Sequence, residues 1–268
     1  MFLKKVDDLI LEDIDFSYKK KISSQKILEN FNCVFKKGKF TSIIGPSGSG
    51  KTSMLKLIAG LNHYESGQIK FENKNIKDLL KYITLVQQHA SLMPWLNVRQ
   101  NIQFGNLKKN KSFVDKIIND IGLGGFTEYY PHQLSGGLAQ RAVIARAILF
   151  EPKLLLLDEP FAALDNLSRE MISVELVSLI KKKSMTVIMV THSIEEAALL
   201  SDEVIVTGIS PISVIKKFIP TKNKSGLTWQ KLGLRKSLQD KNFQGYIKLI
   251  RDASYQVLKR KLDFEKQK

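Results

Sequence analysis

Short apolar runs separated by turns fill the first third of the chain. Leu9 to Tyr18 and Lys26 to Phe35 alternate apolar with polar positions, while Phe40 to Ile44 carries only small hydroxyls, Thr41 and Ser42, between its apolar residues and reads as a buried strand. Alternation predicts strands with one buried face, and a continuous run predicts a strand buried on both. Lys36-Lys37-Gly38-Lys39 reads as the turn between the second and third strands. Ser53 to Ala59 has the spacing of a helix, and Ile69 to Phe71 and Tyr82 to Val86 read as further strands. From about 93 to 133, inside a stretch of about 90–150 that interrupts the α/β pattern, short helical stretches alternate with Asn- and Gly-rich breaks such as Ile121-Gly122-Leu123-Gly124-Gly125. This predicts a helical insertion whose last helix opens at Ser135 and runs through Ala142 to Phe150. Strands return at Leu154 to Leu157, Thr186 to Thr191, Val204 to Val206 and Ile212 to Ile215, with helical spacing across Asn166 to Ile180. Ser193-Ile194-Glu195-Glu196 fits a capping box that opens another helix. Thr221 to Gly226 is polar and reads as a loop; Tyr246, Ile247, Leu249, Ile250, Ala253, Val257 and Leu258 then fall at helical spacing. The predicted fold is an α/β core with a β-rich part before it and a helical insertion (residues 1–220), followed by a helical appendage (221–268).

Composition narrows this picture in three ways. The 268 residues accommodate one large α/β domain and an appendage. No apolar run approaches the ~20 residues that span a bilayer, and the charges in Met1 to Asp8 interrupt what a signal peptide needs as an apolar core. The expectation is a chain on the cytoplasmic face of the cell membrane, without an anchor of its own. Cys33 is the single cysteine, which excludes an internal disulfide and a thiolate metal site; on its alternating strand it reads as core filler. The net charge of +16 comes mostly from dispersed lysine, denser at Lys19 to Lys21, Lys181 to Lys183 and beyond Lys216. A solvated lysine-rich surface and attraction to an anionic leaflet both account for it. No basic strand interleaved with aromatics and no recognition helix stands out, so no nucleic-acid partner is expected.

The candidate chemistry starts between the third strand and the first helix. Gly45-Pro46-Ser47-Gly48-Ser49-Gly50-Lys51-Thr52 matches G-x-x-x-x-G-K-[ST], with Ser53 continuing into the helix. Glycines let successive backbone N–H groups turn inward on phosphate oxygens, Lys51 supplies a cation for the β- and γ-phosphates, and Thr52 places a hydroxyl for Mg²⁺. The helix N-terminus adds partial positive charge. Asp158 ends the aliphatic run Leu154 to Leu157, which suits a contact with Mg²⁺, and Glu159 beside it is placed to meet an attacking water.

Leu134-Ser135-Gly136-Gly137-Leu138-Ala139-Gln140-Arg141, Ala163-Leu164-Asp165 and His192 follow in order, with Gln88 between the phosphate loop and the LSGG run. Together these resemble the ATP-binding-cassette (ABC) ATPase family over residues ~9 to ~210. The resemblance implies a P-loop core, ATP and Mg²⁺, and further roles. Glu159 becomes the base and His192 the switch that orients the water. Gln88 becomes the residue that senses Mg²⁺ or water; Gln87, where an aromatic is usual, is its competitor. Tyr18 becomes the ring that stacks on adenine, with Phe16 as the alternative. His63, His89 and His132 have no such support and read as structural. Ser135, Gly136 and Gly137 form an anion site at a helix N-terminus that closes over the nucleotide of a second copy, with Asp165 bridging the interface. Two chains head to tail then sandwich two ATP molecules. Leu138 and Ala139 replace residues that are often polar in the family.

Pro94-Trp95 after Gln88, Tyr130-Pro131-His132-Gln133 before the LSGG run, Pro160-Phe161-Ala162-Ala163 and Ser210-Pro211 resemble the nitrate/sulfonate/taurine/bicarbonate import group. Ile212-Ser213 stand where that group often has a further Pro and Arg. The resemblance implies the ATP-hydrolysing subunit of an importer, working with integral-membrane permease subunits and an extracytoplasmic substrate-binding protein. Pro94, Trp95 and Leu96 are candidates for the surface that meets a permease helix, with core packing as the alternative for Trp95. A soluble ABC ATPase, such as one for cluster assembly, is the competing class. Coiled-coil types are excluded by the ~45 residues from Gln88 to Ser135, which carry no heptads.

Overall fold

The computed structural model describes residues 7–19, 24–106, 109–162, 184–220 and 233–266, with 164, 169, 173, 177, 180 and 229 between them. Among the described residues ten strands form two sheets. In the first, antiparallel sheet, β1 (Leu9–Lys19) lies between β2 (Ser24–Phe35) and β4 (Ser66–Phe71), and the two-residue β5 (Lys74–Asn75) closes the edge. The second sheet has the order β10-β9-β3-β8-β7-β6. Its members are β3 (Phe40–Ile44), β6 (Ile83–Val86), β7 (Leu154–Asp158), β8 (Thr186–Val190), β9 (Glu203–Thr207) and β10 (Val214–Phe218). All neighbours in it are parallel except β10, which runs antiparallel to β9.

The leucine run of β7 explains why this sheet is central. Leu154 and Leu156 enter the core shared with the antiparallel sheet and α1 (Lys51–Ile58); Leu155 and Leu157 enter the core on the other face, with the helices. Successive strand side chains point to opposite faces, so only a strand covered on both sides can be aliphatic at every position. The insertion contains α2 (Val98–Gln103), α3 (Lys111–Asp120) and α4 (Gly136–Leu149), which pack on one another around Ile102, Val114, Ile118 and Ile144. Of the stretch from 166 to 180, the described residues Arg169, Ser173, Val177 and Ile180 are helical.

Two expectations need correction. The last strand is Val214–Phe218 rather than Ile212 to Ile215; Ile212 makes only an isolated bridge to Leu28. An aliphatic pair at 212 and 215 pointed to the wrong window because Ile212 is buried against the antiparallel sheet instead of joining β9. The capping box is half formed. Ser193 Oγ accepts the Glu196 N–H at 3.1 Å as an N-cap of α5 (Ile194–Leu200), but the Glu196 carboxylate takes the hydroxyl of Thr191 at 2.7 Å instead of returning to the cap. The Ser193 N–H that the box would use bonds to Thr191 Oγ1 at 3.1 Å, and desolvation pushes the Glu196 carboxyl above its ordinary value.

Beyond β10 the short α6 (Leu234–Ser237) precedes α7 (Lys241–Lys266), which lies across α5, β9 and β10. Phe243, Tyr246, Ile247, Ile250, Ala253 and Val257 join the helical-side core, and Trp229 packs edge-on to Phe243 with centroids 4.8 Å apart. Leu249 and Leu258, which share the helical spacing of that face in the sequence, are exposed.

Candidate active site

The C-terminal ends of β3, β7 and β8 converge on one cleft. Loops at this edge of a parallel sheet diverge toward different neighbours and leave a crevice. Its volume is about 320 Å³, and its walls are Tyr18, Gln25, Ile27, Ser47 to Ser53, Glu159 and His192.

The loop after β3 is held where only glycine fits. A Cβ on Gly45 would come within 2.2 Å of Thr207 Oγ1. Gly50 has φ of +105°, and a Cβ there would meet Ile27 Cγ2 at 2.6 Å. The turn leads straight into α1, whose first N–H groups have no partners within the helix. Lys51 folds back under the loop: its Nζ donates to the carbonyls of Gly45 (2.9 Å) and Pro46 (2.7 Å) and to Ser49 Oγ (3.3 Å). The residue is 5% exposed. Burial lowers its ammonium to about 8, against the opposing pull of Glu159 and Asp158. A buried cation bonded to neutral carbonyls, beneath a loop with open space above Gly48, fits a phosphate chain.

Thr52 Oγ1 donates to Asp158 Oδ1 at 3.1 Å. Asp158 is buried, and desolvation raises its carboxyl above the ordinary value while the Thr52 hydroxyl offsets part of that rise. A hydroxyl and a carboxylate side by side are the hard oxygen donors that Mg²⁺ takes. Glu159 leaves the strand in a left-handed conformation, φ 47°, although its N–H still bonds to Val190 O at 2.9 Å. That conformation is costly for a side chain longer than Asn. It carries Glu159 away from the line of β7 to a place between two polar partners. His192 Nε2 lies 2.9 Å from one carboxylate oxygen, and Gln88 Nε2 lies 3.3 Å from the other. The backbone carbonyl of the neighbouring Gln87 accepts from Gln140 Nε2 at 3.4 Å.

Tyr18 is 38% exposed and lines the cleft, whereas Phe16 is buried. Ser135 caps α4, its Oγ accepting from Leu138 N–H at 3.3 Å; Gly136 follows, and both are exposed and lie outside the cleft of their own chain. Gly137 approaches Leu164, where an added Cβ would meet Cδ2 at 2.8 Å. Asp165 lies outside the described residues. His63, His89 and His132 do not line the cleft. Gln25 and Ile27 do, and sequence reading missed them; both lie on β2, which the fold alone brings over the loop.

Trp95 is 68% exposed, so core packing does not account for it. The turn that presents it is tied by buried Asn101, whose amide donates to the carbonyls of Met93 (3.1 Å), Leu96 (2.8 Å) and Asn97 (3.1 Å).

Comparison with known proteins agrees with this geometry. The ABC transporter family model matches residues 28–162. An aliphatic sulfonates import ATP-binding protein of Bacillus cereus is 36% identical over 88% of this chain and 97% of its own length. A bicarbonate transport ATP-binding protein of Synechocystis is 41% identical over 70% of this chain and 29% of its own length. Among solved structures, the dimeric ATP-binding cassette MJ0796 in a post-hydrolysis state, bound to ADP and Pi, superposes with a TM-score of 0.71 at 29% identity, covering 79% of this chain and 98% of that one. The chain belongs to the ABC transporter family, as one of its ATP-binding, ATP-hydrolysing cassettes.

Proposed function

We propose that this cassette powers a membrane importer of a small molecule or anion, hydrolysing ATP as a homodimer on the cytoplasmic face of the membrane. The observation that carries the catalytic part is Glu159 held between His192 and Gln88 at the mouth of the phosphate-loop cleft. The import reading is supported by relatives named for aliphatic sulfonates, bicarbonate and nitrate. None of these is a soluble ATPase outside transport. Among the described residues no helix is long and apolar enough to cross a membrane; in this reading integral-membrane permease subunits provide the passage. A substrate-binding protein outside the membrane completes the system.

In this reading Gly45 to Ser53 cradle the phosphates with backbone N–H groups and Lys51, and Tyr18 stacks on adenine. Thr52, Asp158 and Gln88 would hold Mg²⁺, which supplies neutralisation of phosphate charge when bound. Glu159 accepts the proton of the attacking water at its carboxylate. His192 fixes that carboxylate through Nε2 and orients the water. Ser135, Gly136 and Gly137 act on the nucleotide of the partner copy, which is why they stand outside their own cleft, and Asp165 bridges the two. Closure on ATP and reopening after hydrolysis move the α2–α4 unit, and Trp95 transmits that motion to the permease.

The test is capture of partners by tagged Glu159→Gln chain from membranes in mild detergent with Mg·ATP. A multi-spanning permease is the expected partner. Recovery only with cluster-assembly proteins, ribosomes or nucleic acid would overturn the transport reading.

A further inference from the structure

Tyr18 is held in the cleft by its hydroxyl as well as by its ring. Its phenol oxygen lies 3.3 Å from Ser53 Oγ and 3.2 Å from the side-chain amide nitrogen of Asn62. The ring meets Phe16 edge-on, with centroids 4.9 Å apart and planes at 76°. Ser53 lies in the first turn of α1. Asn62 lies in the turn beyond its end, where the N–H groups of Leu61 and Asn62 both bond to the Lys56 carbonyl, at 2.9 and 3.3 Å. One phenol therefore touches the two turns that bracket the phosphate-loop helix.

We propose that Asn62 is a positioning residue for nucleotide binding, its side-chain amide holding the Tyr18 ring at the attitude in which it receives the base. The inference rests on the stacking role assigned to Tyr18 above. Asn62 does not line the nucleotide cleft; it faces a separate cavity of about 260 Å³ behind α1, beside Gly60, His63 and Leu80. Its route to the nucleotide runs through Tyr18. A half-exposed aromatic at the end of a strand can exchange among staggered χ1 rotamers and swing about χ2 unless its edge and its tip are both held. Phe16 fixes the edge, and the amide of Asn62 donates to the tip. A ring held before the base arrives loses less conformational freedom on binding. The tie also makes the base platform move with α1, so the base and phosphate contacts keep one spacing.

The test measures displacement of a fluorescent nucleotide from the full chain by ATP and, separately, by inorganic tripolyphosphate, which has phosphates but no base. Asn62→Ala is expected to weaken ATP binding by up to about tenfold, since the preorganisation lost cannot exceed the net worth of the one hydrogen bond that holds the ring. Tripolyphosphate binding should stay at the parental level, and the loss should fall on KM rather than kcat. Tyr18→Phe, which removes the Ser53 contact as well, should lose at least as much, and adding Asn62→Ala to it should cost nothing more. Equal weakening for ATP and tripolyphosphate, or additive losses in the double variant, would overturn the proposal, since either means a disturbed loop. Tyr18→Ala separates the two levels. If it binds ATP as the parent does, the stacking role falls and the inference with it. If it binds weakly while Asn62→Ala binds normally, the inference alone falls. Melting curves of each variant keep misfolding apart from these outcomes.

Discussion

His192 Nε2 lies 2.9 Å from Oε1 of Glu159, although 33 positions of sequence separate them. The two sit at the ends of adjacent parallel strands, β7 and β8, so the pair is a product of strand register: Asp158 is level with Val190, and each chain runs on by one or two residues. A carboxylate so held is aimed before any substrate arrives. Glu159→Gln is expected to reduce ATP hydrolysis by about 10²–10⁴-fold, the usual range for loss of a general base, while ATP still binds. Single-turnover hydrolysis with parallel nucleotide titration checks both halves, and parental turnover would exclude the base assignment.

Lys51 is buried beneath the loop carbonyls, so its charge is committed to that concavity. Lys51→Ala should weaken ATP binding by about ten- to a hundredfold, as for a lost charge-assisted hydrogen bond. Ordinary ATP affinity in the variant would contradict the phosphate-loop reading.

Trp95 stands on a turn that Asn101 fixes from below, and its side chain faces solvent. Trp95→Ala should leave the melting temperature nearly unchanged, because little apolar area leaves the core. Substrate uptake in reconstituted vesicles should fall more than basal ATPase activity. Equal loss of both would remove the docking role.

Ile250 is 0% exposed in the contact of α7 with the core. Ile250→Ala is expected to destabilise the whole chain by about 2–5 kcal/mol, the range for a large-to-small core change. A urea melt reporting on the phosphate-loop half would show the same shift. No shift there would mean that α7 unfolds independently of the cassette.

Glu72 binds Lys37 at 2.9 Å and Lys153 at 2.5 Å, tying the antiparallel sheet to the entry of β7. Bonds from Lys153 first, then Lys37, hold its carboxyl below the ordinary value of 4.5. A carboxyl depressed by folding contributes stability above the unfolded-state value and loses it as pH falls through the folded value. Both lysines are nearly half exposed, so screening limits the gain. Glu72→Gln should cost about 0.5–1 kcal/mol at pH 7, and parent and variant should converge as pH falls below the folded-state value of that carboxyl. A constant difference across that range would assign the effect to packing.

The sequence alone determined the phosphate loop, the place of most strands (β5 and the window of β10 excepted) and the two-sided burial of β7. These are local: G-x-x-x-x-G-K-[ST] closes on itself within eight residues, and a run of aliphatic positions needs no knowledge of its neighbours to declare burial on both faces. The family resemblance singled out Gln88, Tyr18 and His192, but not what they touch. The tertiary structure decided the rest. Gln88 and His192 meet Glu159, while Gln87 gives only its backbone carbonyl, to Gln140. Gln25 and Ile27 reach the cleft because β2 crosses over the loop. Leu249 and Leu258 have the same spacing as their buried neighbours on α7, yet face solvent, because the width of the docked stripe is set by α5 and β9 rather than by the helix itself. Asn62 carries no local signal at all. An amide in a polar turn acquires a partner only when a strand from the other sheet lays a phenol beside it, and strand pairing across tens of residues is what one-dimensional pattern does not contain.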